Sequence, residues 1–368
     1  MAHNLYQNAI TGKFAMFALA SWSVWHDKET NVARANDVLT SDEAIALASN
    51  GYTVEKHQNR NIFDNSLIPS WSTYRMDTNA WLGDVGSSYK VHSVQTMAKL
   101  MDTCLESIGG SHYVSGGALG RGERVWLAAR IPSADFEVTT GDKHEAYLVG
   151  STSYNGLKQS QLALMLMRVV CENTLEAGLN SAIERICIRH TTNSDDKIKQ
   201  AEQIMTGVAQ SVDSIKTKLQ TLATRRVTKD SLETVIAKLF GNTKTSDDKA
   251  STRTENIVKE LLANYESNDR NAFPEQKGTA FNLLNAVTDY VDHSRSTRLT
   301  DRMAETSQRE KLENQSRAAS AMFGSGSQLK SQALDVILQA TAGASTVTTY
   351  YPTVAPSTSL LDSILANS

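Results

Sequence analysis

Apolar and polar positions divide the chain into a mixed first half and a helical second half. Residues 40–51 predict a short helix: Thr40 or Ser41 caps it, Asp42 and Glu43 suit its first turn, and Gly51 ends it. Tyr52–Lys56 then reads as a strand, and Tyr89–Val94 alternates before a helix that runs to Gly109 and Gly110. Arg124–Ile131 is a strand closed by Pro132, and His144–Ser151 is a second. Asn155-Gly156 supplies turn chemistry, because both residues tolerate positive φ. From Ser160 the apolar density predicts a helix through Ile188. The expected order is strand, strand, room for a third, then a long helix.

The clearest periodicity follows. Ile198, Ala201, Met205, Val208, Val212, Ile215, Leu219 and Leu222 alternate three- and four-residue spacings, an a/d seam. Its alanine and valines suit a helix packed within the protein better than a free coiled coil. Another helix starts near Asp230-Ser-Leu-Glu233, in a pattern like a capping box, and stops at Gly241. A further one carries Ile257, Val258, Leu261, Leu262 and Tyr265, and the next runs from Thr279 through Phe281, Leu284, Val287 and Val291. Beyond Thr300 the chain is polar, Gly324–Ser327 reads as a hinge, and Leu329, Ala333, Leu334, Ile337 and Leu338 share a helical face. Residues 341–359 read as a linker, and Leu360–Leu365 as a short apolar stripe, either frayed or docked on a partner. The expected class is α+β: an antiparallel β-β-β-α core with an N-terminal α/β part, then a helical region and a flexible C-terminal tail. The expected divisions are 1–195 for the α/β core, 196–300 for the helical region, and 301–368 for the polar helix, linker and apolar end.

Charge and composition sharpen this outline. Among 368 residues, 37 Lys+Arg against 40 Asp+Glu give a formal net charge of −3, which excludes a histone-like polycation but not a local basic stripe. Basic residues outnumber acidic ones between 184 and 230, and the chain holds no Lys or Arg after Lys330. Three cysteines without CxxC spacing argue against a disulfide framework and for a reducing, cytoplasmic setting, which is the host cytoplasm if the protein is phage-encoded. The run Phe14–Ala20 mimics a signal peptide, but only Lys13 precedes it closely. The longest mid-chain apolar run, Leu162–Met167, is far below the ~18 residues of a membrane span.

Several chemistries lack their residues. Gly116–Gly122 invites a phosphate-loop reading, but it has no Gly-Lys-Ser/Thr, and a strand rather than a helix follows it. No Gly-x-Ser-x-Gly or His-Glu-x-x-His occurs. His26, Asp27 and Glu29 are a poor metal set, and Cys171 in an apolar context reads as an inert thiol. His190 and His293 each follow an apolar run, where core packing explains them as well as catalysis does. No cofactor, metal or catalytic set is expected.

Other phrases stand together. Arg75-Met-Asp77, Trp81-Leu-Gly-Asp-Val-Gly86, Gly116–Trp126, Arg168-Val-Val-Cys-Glu-Asn-Thr-Leu175, Ile188-Arg-His-Thr-Thr192 and Asn285-Ala-Val-Thr-Asp-Tyr-Val-Asp-His293 follow in order. Over about residues 20–300 the chain resembles the phage/plasmid-like protein family, a domain of unknown function on bacterial mobile elements. By topology alone, the β-β-β-α order of 112–189 is similar to that of the ring-forming single-strand annealing proteins of phages. The first resemblance implies no settled activity. The second implies a non-catalytic, homo-oligomeric protein that binds and anneals single-stranded DNA in recombination or replication.

An annealer holds a strand by its phosphates and leaves the base edges free. The candidates for that work are Arg121, Arg124, Trp126, Arg130, Lys158, Arg168, Arg185 and Arg189. Tyr154 is a further base support. Strand alternation puts Arg124, Trp126, Ala128 and Arg130 on one face of the first strand. Arg185 and Arg189, four apart on the expected helix, would line a groove from the other side. The competing expectation is a structural or interaction protein of a mobile element, assembling through the helical seam and the C-terminal stripe.

Overall fold

The computed structural model describes residues 16–19, 33–35, 38–49, 51–106, 110–168, 173–177, 185–191, 208–241, 252–266, 273–295, 317, 320–321 and 324–344. They form an α+β fold. In chain order the elements are β1 (Met16–Leu19), β2 (Ala33–Ala35), α1 (Ser41–Ser49), β3 (Val54–Arg60), β4 (Leu67–Arg75), β5 (Ala80–Val85) and α2 (Val94–Glu106). There follow β6 (His112–Leu119), β7 (Arg124–Arg130), β8 (Phe136–Glu137), β9 (Lys143–Ser153), β10 (Ser160–Arg168), β11 (Asn173–Ala177) and β12 (Arg185–Ile188). The helical part holds α3 (Val208–Thr224), α4 (Lys229–Phe240), α5 (Thr252–Glu266), α6 (Ala280–Asp289) and α7 (Ser325–Ala340).

A nine-stranded sheet runs in the order β11-β10-β9-β7-β6-β1-β2, with β12 also on β10 and β8 on β9. Only β1 and β2 pair in parallel among the described strands. A separate three-stranded antiparallel sheet is β3-β4-β5. Helix α1 begins in a capping box: Glu43 N–H donates to Thr40 Oγ1 at 3.3 Å, and Thr40 N–H donates to Glu43 Oε2 at 2.8 Å. Residues 89–93 stay irregular ahead of α2.

The helix expected over 160–188 is instead three strands. The run Leu162–Met167 lies in the middle of the sheet, between β9 and the β11/β12 edge. Leu162, Leu164 and Leu166 join the core beneath α1 and α2, while Ala163, Met165 and Met167 are buried on the opposite face. A strand buried on both faces reads as an unbroken apolar run, and such a run carries no period-2 signal. Leu, Ala and Met also favour helices intrinsically, so tertiary burial overrode propensity here. Segment 112–189 is consequently β-rich throughout its described residues. Arg185 stands in β12 opposite Ala163, and Arg189 follows that strand, so neither is helical.

The described part of the a/d seam is in α3, where Val212, Ile215, Leu219 and Leu222 are buried in the same core as the sheet. That seam packs within the chain. Residues 192–207 and the Leu360–Leu365 stripe lie outside the described residues. Helix α4 has a capping box two residues earlier than expected, between Thr228 and Ser231, and ends at Gly241 with φ +89°. The expected hinge at 324–327 is the start of α7, where Gly326 and Ser327 are buried: a Cβ on Gly326 would come within 2.9 Å of Ser320 O. There glycine permits close packing rather than bending. Lys330 of α7 is fully buried and donates to Asp292 at 2.6 Å.

One polar cluster joins the sheet to the helices. Arg168, at the end of β10, donates from Nε to Asp142 Oδ1 at 2.7 Å and from a terminal nitrogen to Gln276 Oε1 at 2.9 Å. Gln276, in a 3₁₀ turn just ahead of α6, returns its amide to Asp142 Oδ2 at 2.7 Å and Thr139 Oγ1 at 2.6 Å. The rings of Phe273 and Phe281 each stand 5.5 Å from the guanidinium. Arg168 and Asp142 are 2 % and 0 % exposed. His144 stacks on Phe136 at 5.3 Å beside this cluster, and burial lowers its pKa to about 4.

Two predictions follow from the cluster. Arg168→Ala leaves the Asp142 charge buried without its cation and should destabilise the fold by about 3–5 kcal/mol, read by urea denaturation. His144 takes up its proton far less readily when folded than when unfolded, so its contribution is full above about pH 6.5 and is lost as pH falls toward about 4. The loss amounts to roughly 3 kcal/mol. In stability-against-pH curves, His144→Phe should be flatter than the parent across that window.

Candidate nucleic-acid interface

The register of the large sheet separates the expected basic residues into two groups. Arg124 opens β7 opposite Ser153, the last residue of β9. Arg121 lies in the turn between β6 and β7, and Lys158 in the turn between β9 and β10. Arg189 directly follows β12, whose last residue Ile188 pairs with Ser160, the first of β10. Three segments remote in sequence, the β6–β7 hairpin with Arg121 and Arg124, the β9–β10 turn with Lys158 and the end of β12 with Arg189, thus meet at one end of the sheet. Arg121, Lys158 and Arg189 are exposed there, and Arg124 is half-buried.

Arg130 and Arg168 stand at the opposite end, where carboxylates take their charge. Arg130 makes a bidentate pair with Asp135 at 2.5 and 2.6 Å and reaches Glu145 at 3.0 Å. Arg168 is sealed in the cluster already described. The reason is desolvation: a guanidinium taken out of water needs a carboxylate and well-placed acceptors. Neither cation is presented to a phosphate.

The expected Arg/Trp face of β7 forms as a face but not as a surface. Trp126, Ser151, Gln161 and Cys187 are successive cross-strand partners and therefore share one side of the sheet. Arg124 reaches along this side to Ser151 Oγ and Gln161 Oε1, each at 3.3 Å. Trp126 itself is 3 % exposed, and Ala128, Val149 and Ala163 beside it are equally covered. Tyr154 is 2 % exposed, and burial pushes its hydroxyl pKa up. Neither ring is open to a base. Arg185 is placed by its backbone only, opposite Ala163.

Sequence reasoning missed the open aromatic at this end of the sheet. Trp81 of β5 is 42 % exposed, and the Arg121 guanidinium lies over its ring at 5.2 Å. Its strand was not recognised because Ala80–Val85 is short and interrupted by Gly83. That glycine is required by close approach: a Cβ would meet Asn155 Cα at 2.7 Å, which shows how tightly β5 sits on the β9–β10 turn. The Trp-Leu-Gly-Asp phrase was the one available signal.

A buried polar stack supports this end from below. His190 stacks on His92 at 4.3 Å and on Tyr89 at 4.7 Å. Ser160 Oγ lies 3.1 Å from His92 Nδ1, 3.3 Å from His190 Nε2 and 3.1 Å from Thr152 Oγ1. The Lys90 carbonyl accepts from His190 Nδ1–H at 3.0 Å, so a neutral ring offers Nε2 to the serine. Burial lowers the His190 pKa and keeps that ring neutral near pH 7. Ser160 is 1 % exposed, so the group acts as packing that fixes the Arg189 segment against β10 and the 89–92 segment. The β6–β7 turn is held similarly. Arg75, itself paired to Asp77, donates to the Arg121 carbonyl at 3.1 Å, and the Tyr52 hydroxyl donates to the Gly122 carbonyl at 2.8 Å.

Among the described residues no group of three or more His, Cys, Asp or Glu could hold a metal. His26, Asp27, Glu29 and Cys171 lie outside them. Within the same bounds no helix is long and apolar enough to cross a membrane.

No curated protein and no solved structure matches the chain. A family model does, across residues 81–321, a span that begins at Trp81 and takes in Arg121, Arg124, Arg130, Lys158, Arg168, Arg185 and Arg189. The chain belongs to the family described as Domain of unknown function (DUF932).

Proposed function

We propose that this protein binds single-stranded nucleic acid through the Arg121–Arg124–Lys158–Arg189 end of its large sheet and makes or breaks no bond in doing so. The observation that carries the reading is the convergence of four cations from three separate segments on one end of a rigid sheet, three of them exposed. Glu123 and Asp84 lie in the same region. Glu123, itself 19 % exposed, holds Arg121 at 2.9 Å, but the Arg121 side chain stays 55 % exposed, so a phosphate can still reach its guanidinium. Such a surface reads backbone charge, not sequence, and its affinity depends steeply on salt. In a phage or plasmid it would serve recombination or replication by holding strands for annealing, with copies of the chain side by side along the strand.

Fluorescence anisotropy with labelled single-stranded DNA across a salt series tests this. The parent should bind at about 50 mM salt and weaken steeply by about 200 mM. Lys158→Glu with Arg189→Glu should weaken binding about tenfold or more for every sequence alike, and should reduce the salt slope by about one per residue. Absence of binding at the lower salt, or binding indifferent to salt, contradicts the proposal. Annealing of complementary labelled strands, with light scattering for self-association, then separates strand holding from strand pairing.

A further inference from the structure

We infer that Trp81 is a base-stacking platform set beside the phosphate contacts, so the ligand of this end is a base-bearing single strand and not simply a polyanion. The inference rests on the reading of the basic end given above and adds a contact of different chemistry.

Three observations carry it. First, the indole is open but held. Its Nε1–H donates to Asp84 Oδ1 at 3.2 Å, and the same oxygen accepts from Ser72 Oγ at 2.7 Å, which ties the ring to the middle strand β4. A merely exposed tryptophan would not have its one polar atom anchored by a carboxylate that a neighbouring strand fixes in turn. Second, Arg121 lies over the ring at 5.2 Å with its Nε on Glu123 Oε1 at 2.9 Å. A cation fixed at an indole presents charge and a π-face together, the pairing that single-strand binders use for phosphate and base. Third, the platform is rigid relative to the cations. The Gly83–Asn155 contact fixes β5 on the turn that carries Lys158, and Gly156 of that turn would meet the Asp84 carbonyl at 3.1 Å if it bore a Cβ.

The other open aromatic, Phe63, is 90 % exposed at the tip of the β3–β4 hairpin. It belongs to a different turn from the four cations, and nothing charged is fixed over it among the described contacts. Trp71 is half-buried under Lys56, whose ammonium stands 4.8 Å from the ring and donates to the Ser87 and Tyr89 carbonyls. Trp126 is covered. Trp81 alone among the described tryptophans combines exposure, an anchored orientation and a neighbouring exposed cation.

Two labelled probes of about 20 nucleotides separate base from backbone: oligo-thymidine, and an abasic strand of the same length and charge. The parent protein should bind both, and thymidine more tightly. Trp81→Ala should weaken thymidine binding about 5- to 100-fold while changing abasic binding less than about twofold. Trp81→Phe, which keeps a ring, should retain most of the difference between the probes. Thymidine should also quench the protein's tryptophan emission, and Trp81→Phe should remove that quenching although four other tryptophans remain among the five. If Trp81→Ala weakens both probes equally, the residue acts on the fold or the field and the inference fails while phosphate binding stands. If it changes neither, or quenching survives in Trp81→Phe, the inference fails as well. If the parent binds neither probe, the phosphate reading falls and this one with it.

Discussion

The buried Arg168–Asp142 pair is the constraint on which the arrangement of this molecule turns. Both charges are out of water, so each has to be satisfied locally, and the groups that satisfy them come from distant parts of the chain. Gln276 completes the pair by accepting from the arginine and donating to the aspartate. It can do so only if the 3₁₀ turn before α6 lies against the end of β10. Phe273 and Phe281 then close over the guanidinium. The cluster is thus a geometric condition on how the helical part meets the sheet. Continuous apolar packing supplies the bulk of the burial, because a single hydrophobic cluster runs from α1 and α2 through the strands into α3, α6 and α7. The ion pair and its Gln276 bonds add direction, since dispersion and water exclusion are nearly indifferent to register whereas charge-assisted hydrogen bonds are not.

Satisfying charge at one end of the sheet leaves the other end with a different character. Arg130 and Arg168 stand with Asp135, Glu145 and Asp142 within contact distance. Arg121, Lys158 and Arg189 project from turns and a strand end, where water solvates them. The same residue type therefore has two roles in one sheet, decided by how many solvent contacts its position retains. Turns at the ends of antiparallel strands are exposed on several sides, so cations there keep their hydration and remain exchangeable for a phosphate.

The basic end is dispersed along the chain but gathered in space. Its three segments are held by backbone pairing and by buried polar contacts just beneath: the stacked rings of His92, His190 and Tyr89, the Ser160 hydroxyl between the two imidazoles, and the Arg75 and Tyr52 contacts to the β6–β7 turn. Such support is what a binding surface made of long, flexible side chains requires. The entropy lost on fixing lysine and arginine around a ligand is smaller when the backbone beneath them is already fixed.

Much of the local structure was legible in the residues. The α1 cap at Thr40, the β7 strand that stops just before Pro132, the α4 stop at Gly241 and the faces of α5, α6 and α7 all follow from rules that act within a few residues. The α+β class follows from their sum. The helix expected over 160–188 did not survive, because Leu162–Met167 is apolar on both sides and only its neighbours decide between a buried strand and a buried helix. The candidate site was legible as a set of residue types and not as a site. Alternation correctly put Arg124 and Trp126 on one face, but it could not tell that the centre of that face is covered, and it missed Trp81 altogether. The sequence by itself determined where elements begin and end and which residues carry charge. The tertiary structure alone decided which of those charges are buried in pairs and which converge at a surface, because strand register and desolvation depend on partners that lie far away along the chain.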